Sequence, residues 1–232
     1  MKRLSRWVLL SALVLVAAPA RSATYEFLCG FTGFDYVLPA VPGGGGIPTP
    51  FLALNDEYCG VGFITSMSPL LAGVTNAADE HTFHLSEAMV STVYWDGVVL
   101  EVTFSPHARF RIYEDVNHNA VYGVNPVNAT APSTFTDGTL ILGADITNLV
   151  LVYDYSQNQG NFQCSAALDE GSQLGVIPVP SRAGWVLSGT AGRPNNTIPE
   201  GYVNQLSGEV QIPPVTPAAH RSWGSLKDLY RR

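Results

Sequence analysis

Basic residues are scarce in this chain: twelve Lys and Arg face nineteen Asp and Glu. Between positions 23 and 220 the only cationic side chains are Arg109, Arg111, Arg182 and Arg193. A field of that sign repels phosphate backbones and anionic headgroups, so neither nucleic acid nor a membrane surface is an expected partner; divalent cations suit it better. Sequence fingerprints of catalysis are lacking too. No GxSxG, HExxH, phosphate-binding loop or dinucleotide-binding pattern occurs, which removes the serine-hydrolase, zinc-protease and nucleotide chemistries that those spacings serve.

Long apolar runs are also missing, apart from one at the start. Residues 1–22, in MKRLSRWVLLSALVLVAAPARSA, place Lys2, Arg3 and Arg6 ahead of an apolar stretch that begins at Trp7 and is closed by Pro19. The stretch is shorter than the roughly 20 residues that span a bilayer and is followed by small residues, which predicts a cleaved secretory signal peptide. Its loss removes four basic residues and no acids, leaving eight against nineteen, a net charge near −11. The expected location is secreted: periplasmic, cell-surface or extracellular, with no membrane contact after cleavage.

Cysteine is rare, with three in 232 residues. Cys29 and Cys59 each precede a glycine and flank the Gly/Pro-rich stretch VLPAVPGGGGIPTP, and in an exported chain this pattern predicts a disulfide. Closing a loop of about 30 residues is worth roughly 3 to 4 kcal/mol. Cys164 is then left over, either as a buried small hydrophobe or as a participant in an alternative or intermolecular bridge.

What is abundant is β-forming sequence. Short segments rich in Val, Ile, Thr, Tyr and Phe alternate with turn residues, which predicts an all-β fold: an antiparallel β-sandwich, jelly-roll-like, or an open barrel. In STVYWDGVVLEVTF the pair Asp96-Gly97 marks a hairpin. ARFRIYE alternates Phe110 and Ile112 with Arg109 and Arg111, as a half-buried strand does. A single β domain is expected over 23–211, followed by a Pro-rich linker at 212–221. The tail at 222–232, SWGSLKDLYRR, carries Trp223, Leu226 and Leu229 or Tyr230 at helical spacing with cations at its end, and reads as a short amphipathic helix that must dock to be ordered.

Three groups of residues are candidate sites. Asp115, Asn117 and Asn119 in YEDVNHNAVYG fill positions 1, 3 and 5 of a calcium loop, yet Ala120 replaces the glycine at position 6 and Pro126 the carboxylate at position 12. Either the segment is a polar turn, or it is a looser Ca2+ site completed by Glu114 or a distant carboxylate. His81 and His84, three apart, point to opposite faces of a strand and do not suggest a shared metal. Glu87, Asp96, Glu101, Glu114 and Asp154 could include the carboxylate pair of a glycoside hydrolase. Tyr153 and Tyr155 share a strand face, and with Trp95 they are candidates for stacking a sugar ring.

Two segments look familiar. PSTFTDGTLIL, from Pro132, and the tail SWGSLKDLYRR resemble segments of bacterial exported β-rich proteins, and the resemblance implies a bacterial extracellular context without an activity. The expected function is a secreted, non-catalytic structural or adhesive module of the bacterial envelope, with weak calcium binding. A carbohydrate-binding module or glycoside hydrolase is the alternative. An envelope protein or a glycan is the expected partner, and the tail is expected to dock to a partner or to sorting machinery.

Overall fold

The computed structural model describes residues 26–40, 52–123, 132–193 and 198–212. The expected signal peptide, the tail and all of the linker except Ile212 lie outside the described residues. Nine antiparallel strands dominate: β1 (Glu26–Leu38), β2 (Glu57–Met67), β3 (Glu80–Trp95), β4 (Val99–Phe104), β5 (Ala108–Asp115), β6 (Thr139–Asp154), β7 (Gln159–Glu170), β8 (Trp185–Gly192) and β9 (Gln205–Ile212). Among the described residues helix is confined to single turns, including α1 (Pro69–Ala72) and α2 (Ser133–Thr136). No helix among the described residues is long and apolar enough to cross a membrane.

Apart from β4 and β5, strands that are neighbours in sequence pair with each other, and β9 returns to pair with β1 from Glu26↔Ile212 to Phe34↔Gln205. The sheet therefore closes into an eight-position, up-and-down barrel. β4 and β5 share one position, because both lie between β3 and β6: β4 pairs with the second half of β3 and β5 with the first. The break between them falls at Ser105-Pro106-His107. Pro106 has no N–H to give to a ladder, and His107 takes the left-handed conformation, at φ 75°. All-β is thus correct, while the sandwich, jelly-roll and open-barrel expectations are replaced by a closed barrel. Alternation along each strand is the same in all of these architectures; strand order and the pairing of β9 with β1 distinguish them.

The Asp96-Gly97 hairpin forms as its sequence predicts. Gly97 sits at φ 104°, and Asp96 Oδ1 accepts from the Val98 and Val99 N–H groups at 2.8 and 2.7 Å. β3 and β4 continue past the main barrel here, so that Val93, Tyr94 and Trp95 are exposed.

An eight-stranded barrel is just wide enough for side chains to fill it, and this one is filled. Phe31, Phe83, Phe110 and Phe162 meet at its centre, with ring centroids 4.9 to 6.3 Å apart. The voids left among these side chains and the neighbouring layer are each about 10 Å³, too small to hold a water comfortably. Room for the rings comes from missing side chains. Gly189 and Gly208 face each other across β8 and β9, and a Cβ on either would stand 2.5 Å from Phe162 Cζ or 2.7 Å from Phe31 Cζ.

A second cluster packs on the outside of the barrel. Phe34 and Tyr36 of β1 with Cys59 and Phe63 of β2 are covered by Tyr122, Phe135 of α2 and Tyr202. These rings hold the segments 116–123 and 132–138 against the wall.

The Cys29–Cys59 disulfide does not form; all three cysteines are free and buried. Cys29 lies opposite Met67 and Cys59 opposite Tyr36, so the two are about seven residues apart along the β1–β2 ladder, roughly 23 Å at 3.3 Å per residue. A disulfide needs Cα atoms within about 7 Å. Cys29 also belongs to the main core and Cys59 to the outer cluster. Cys164 is buried in the main core, in agreement with its reading as a small hydrophobe.

Candidate functional site

One end of the barrel is open where β1 finishes, β2 and β4 begin and β6 ends. Here a cavity of about 240 Å³ is lined by Asp35, Tyr58, Leu100, Tyr153, Tyr155, Asn158, Arg193 and Asn204, among others. Asp35 forms its floor and is fully buried. It shares a face of β1 with Phe31, while Phe34 and Tyr36 point outward, so strand alternation alone drives this acid inside.

The carboxylate is satisfied by three donors. Asn204 gives its backbone N–H to Oδ1 at 2.6 Å and its Nδ2 to Oδ2 at 2.9 Å, and Tyr58 Oη donates to Oδ2 at 2.9 Å. Burial pushes the carboxyl up to about 6, against the opposing pull of the Asn204 and Tyr58 hydrogen bonds and the Arg193 charge. With no exposed area, Asp35 acts as a latch between β1, β2 and the residues that lead into β9. It does not offer an acceptor to the cavity.

Arg193 sets the electrostatics of the rim. Its Nε donates to the Val203 carbonyl at 2.7 Å, and its own N–H donates to the Asn158 carbonyl at 3.1 Å. Its charge favours the ionised forms of Asp35, Tyr153 and Tyr155, although burial dominates each of these and raises all three.

Two of the aromatic candidates, Tyr153 and Tyr155, line this mouth, and the third, Trp95, packs against Tyr155. Tyr153 lies opposite Leu100, which lies opposite Trp95, so β6, β4 and β3 present them in one row. Tyr153 and Tyr155 have centroids 4.9 Å apart, and Tyr155 and Trp95 5.1 Å apart at 88°. Exposure grades along the row, from 5% at Tyr153 to 41% at Trp95. In an edge-on pair, one ring keeps both faces clear of the other.

The candidate acids do not converge. Glu87 faces Arg111 at 3.2 Å, Asp96 caps its hairpin, Glu101 is exposed on β4, and Asp154 accepts from Ser156 N–H and Oγ. Glu114 lies beside His81 at 3.4 Å. His84 is turned away from that pair, and burial, with the nearby Arg111 charge, lowers its imidazole to about 4. Asp35 is the single carboxylate lining the mouth among the described residues.

Asp115 is the last residue of β5 and is 2% exposed. Its Oδ1 accepts the Asn117 N–H at 2.9 Å, and Asn119 Nδ2 donates to Asp137 Oδ2 at 2.9 Å. Among the described residues no three His, Cys, Asp or Glu side chains stand together at metal-ligand spacing.

Asp35, Tyr58 and Asn204 were not singled out by sequence reasoning. The available signal was an acid in the middle of the otherwise apolar strand FTGFDYVL, a position where burial is dictated by the residues on either side. No family model, no curated protein and no solved structure matches this chain.

Proposed function

We propose that the chain is an exported, non-catalytic binding module that takes the end of a saccharide into the barrel mouth, in an adhesive or structural setting outside the cell. The observation that carries this reading is the row Trp95, Tyr155, Tyr153 leading from solvent to a polar floor. Sugars present apolar C–H faces to aromatic rings and hydroxyls to amide, guanidinium and phenol groups. Asn158, Arg193 and the tyrosine hydroxyls supply the second kind of contact. The cavity lies below the roughly 300–1,000 Å³ common for small-molecule sites, which suits one terminal sugar unit.

A glycosidase reading is less well supported. That chemistry needs two carboxyl groups flanking the bond at about 5 to 9.5 Å, and among the described residues the lining offers only Asp35, which already accepts three hydrogen bonds. The test is a glycan array followed by fluorescence titration of the best sugar. Binding should be weakened at least tenfold by Trp95→Ala or Tyr155→Ala and left alone by Tyr94→Ala on the outer face. A blank array with folded protein would end this reading.

A further inference from the structure

We infer that Asp115, Asn117, Asn119 and Asp137 form a calcium site on the outside of the barrel, separate from the saccharide mouth. The observation that points to a ligand is Asp115 Oδ2. This oxygen is buried and has no hydrogen-bond partner, although its residue is 98% enclosed. The carboxyl reaches into its own loop through Oδ1, which accepts the Asn117 N–H. A buried carboxylate oxygen with neither a donor nor a cation is costly, and such groups are rare in folded proteins.

Both objections that the sequence raises are answered by the fold. The carboxylate missing at position 12 of the loop has a substitute in Asp137, which caps the C-terminal end of α2. Gly138 follows it and is pressed onto β5: a Cβ there would stand 2.5 Å from the Glu114 carbonyl oxygen and 3.0 Å from Asp115 Cα. The loop also turns without a glycine at position 6, because His118 takes the left-handed conformation two residues earlier, at φ 52°. Glu80, directly opposite Asp115 on β3, accepts the Ala120 N–H at 3.0 Å and fixes the far side of the loop.

The donor set consists of hard oxygens, two carboxylates and two amides, with water to complete the six to eight ligands that calcium takes. Asn119 now turns its Nδ2 to Asp137. Rotating that amide by half a turn brings its oxygen to the same place, so cation binding exchanges one Asn119–Asp137 contact for a shared ion. The strongly acidic chain supplies the attractive field. Bound calcium would fasten α2, and with it Phe135 of the outer cluster, to the end of β5.

Thermal melts of the purified protein in millimolar calcium and in chelator test the site, with calorimetric titration for affinity. The expected result is a higher melting temperature in calcium, and at least a tenfold loss of affinity in each of Asp115→Asn, Asn119→Ala and Asp137→Asn. Asn119→Ala and Asp137→Asn alter less buried positions, so they report even if Asp115→Asn fails to fold. An unchanged melting temperature overturns the site. So does a calcium response that survives Asn119→Ala and Asp137→Asn, or one that magnesium reproduces in full.

Discussion

Asn204 grips Asp35 twice, through its backbone N–H and its side-chain amide, and so ties the approach to the last strand to the end of the first. Because burial raises the Asp35 carboxyl to about 6, above the roughly 3.9 of an unfolded aspartate, the folded state binds this proton more tightly. The stability that Asp35 contributes is then fully present below about pH 4 and is lost as pH rises through about 6. Denaturant unfolding across that window should show wild type losing stability relative to Asp35→Asn. Parallel profiles for the two proteins would contradict the assignment.

Tyr58→Phe removes one donor to that carboxylate and leaves the ring in place. Loss of a hydrogen bond to a charged group costs about 1.5–3 kcal/mol. The Asp35 carboxyl should also titrate at higher pH than in wild type, because Tyr58 opposes the effect of burial. Carboxyl chemical shifts followed by NMR would reveal the change, and a downward displacement would refute it.

All three thiols are buried and free, and burial pushes Cys29 and Cys164 each up to about 12. A thiol reagent at neutral pH should find none of them in native protein and all three after denaturation without reductant. Recovery of a single thiol on denaturation would restore the disulfide.

Gly208→Ala should be strongly destabilising, since the new methyl group meets Phe31 Cζ at 2.7 Å and the Ser188 carbonyl oxygen at 2.5 Å. Overpacking of this kind costs about 1–3 kcal/mol or more. Pairing the change with Phe31→Leu should recover part of the loss in denaturant melts, while simple additivity would mean that the ring is not the obstacle.

The local layers of this fold could be read from sequence, because they depend on neighbours in the chain. Phe110 and Ile112 turn inward and Arg109 and Arg111 outward, where the arginines meet Asp169, Glu170 and Glu87. Asp96-Gly97 makes its turn for equally local reasons. Closure was not legible, since it depends on Glu26 meeting Ile212, and no alternation pattern encodes that register. The cysteine pairing failed on the same ground: the spacing of Cys29 and Cys59 suggested a closed loop, but the β1–β2 register holds them apart. Trp95, Tyr155 and Tyr153 were visible as aromatics, and the barrel alone puts the two tyrosines in one cavity with Asp35 and Trp95 against Tyr155.

The pairing of β1 with β9 also governs when the molecule can fold. Loop closure between positions nearly 190 residues apart must precede its reward in contacts, and non-local topologies of this kind fold slowly. The barrel cannot complete its hydrogen-bond ring until the segment around Ile212 has left the ribosome. For most of its synthesis the chain therefore lacks a closed barrel, by strand order alone.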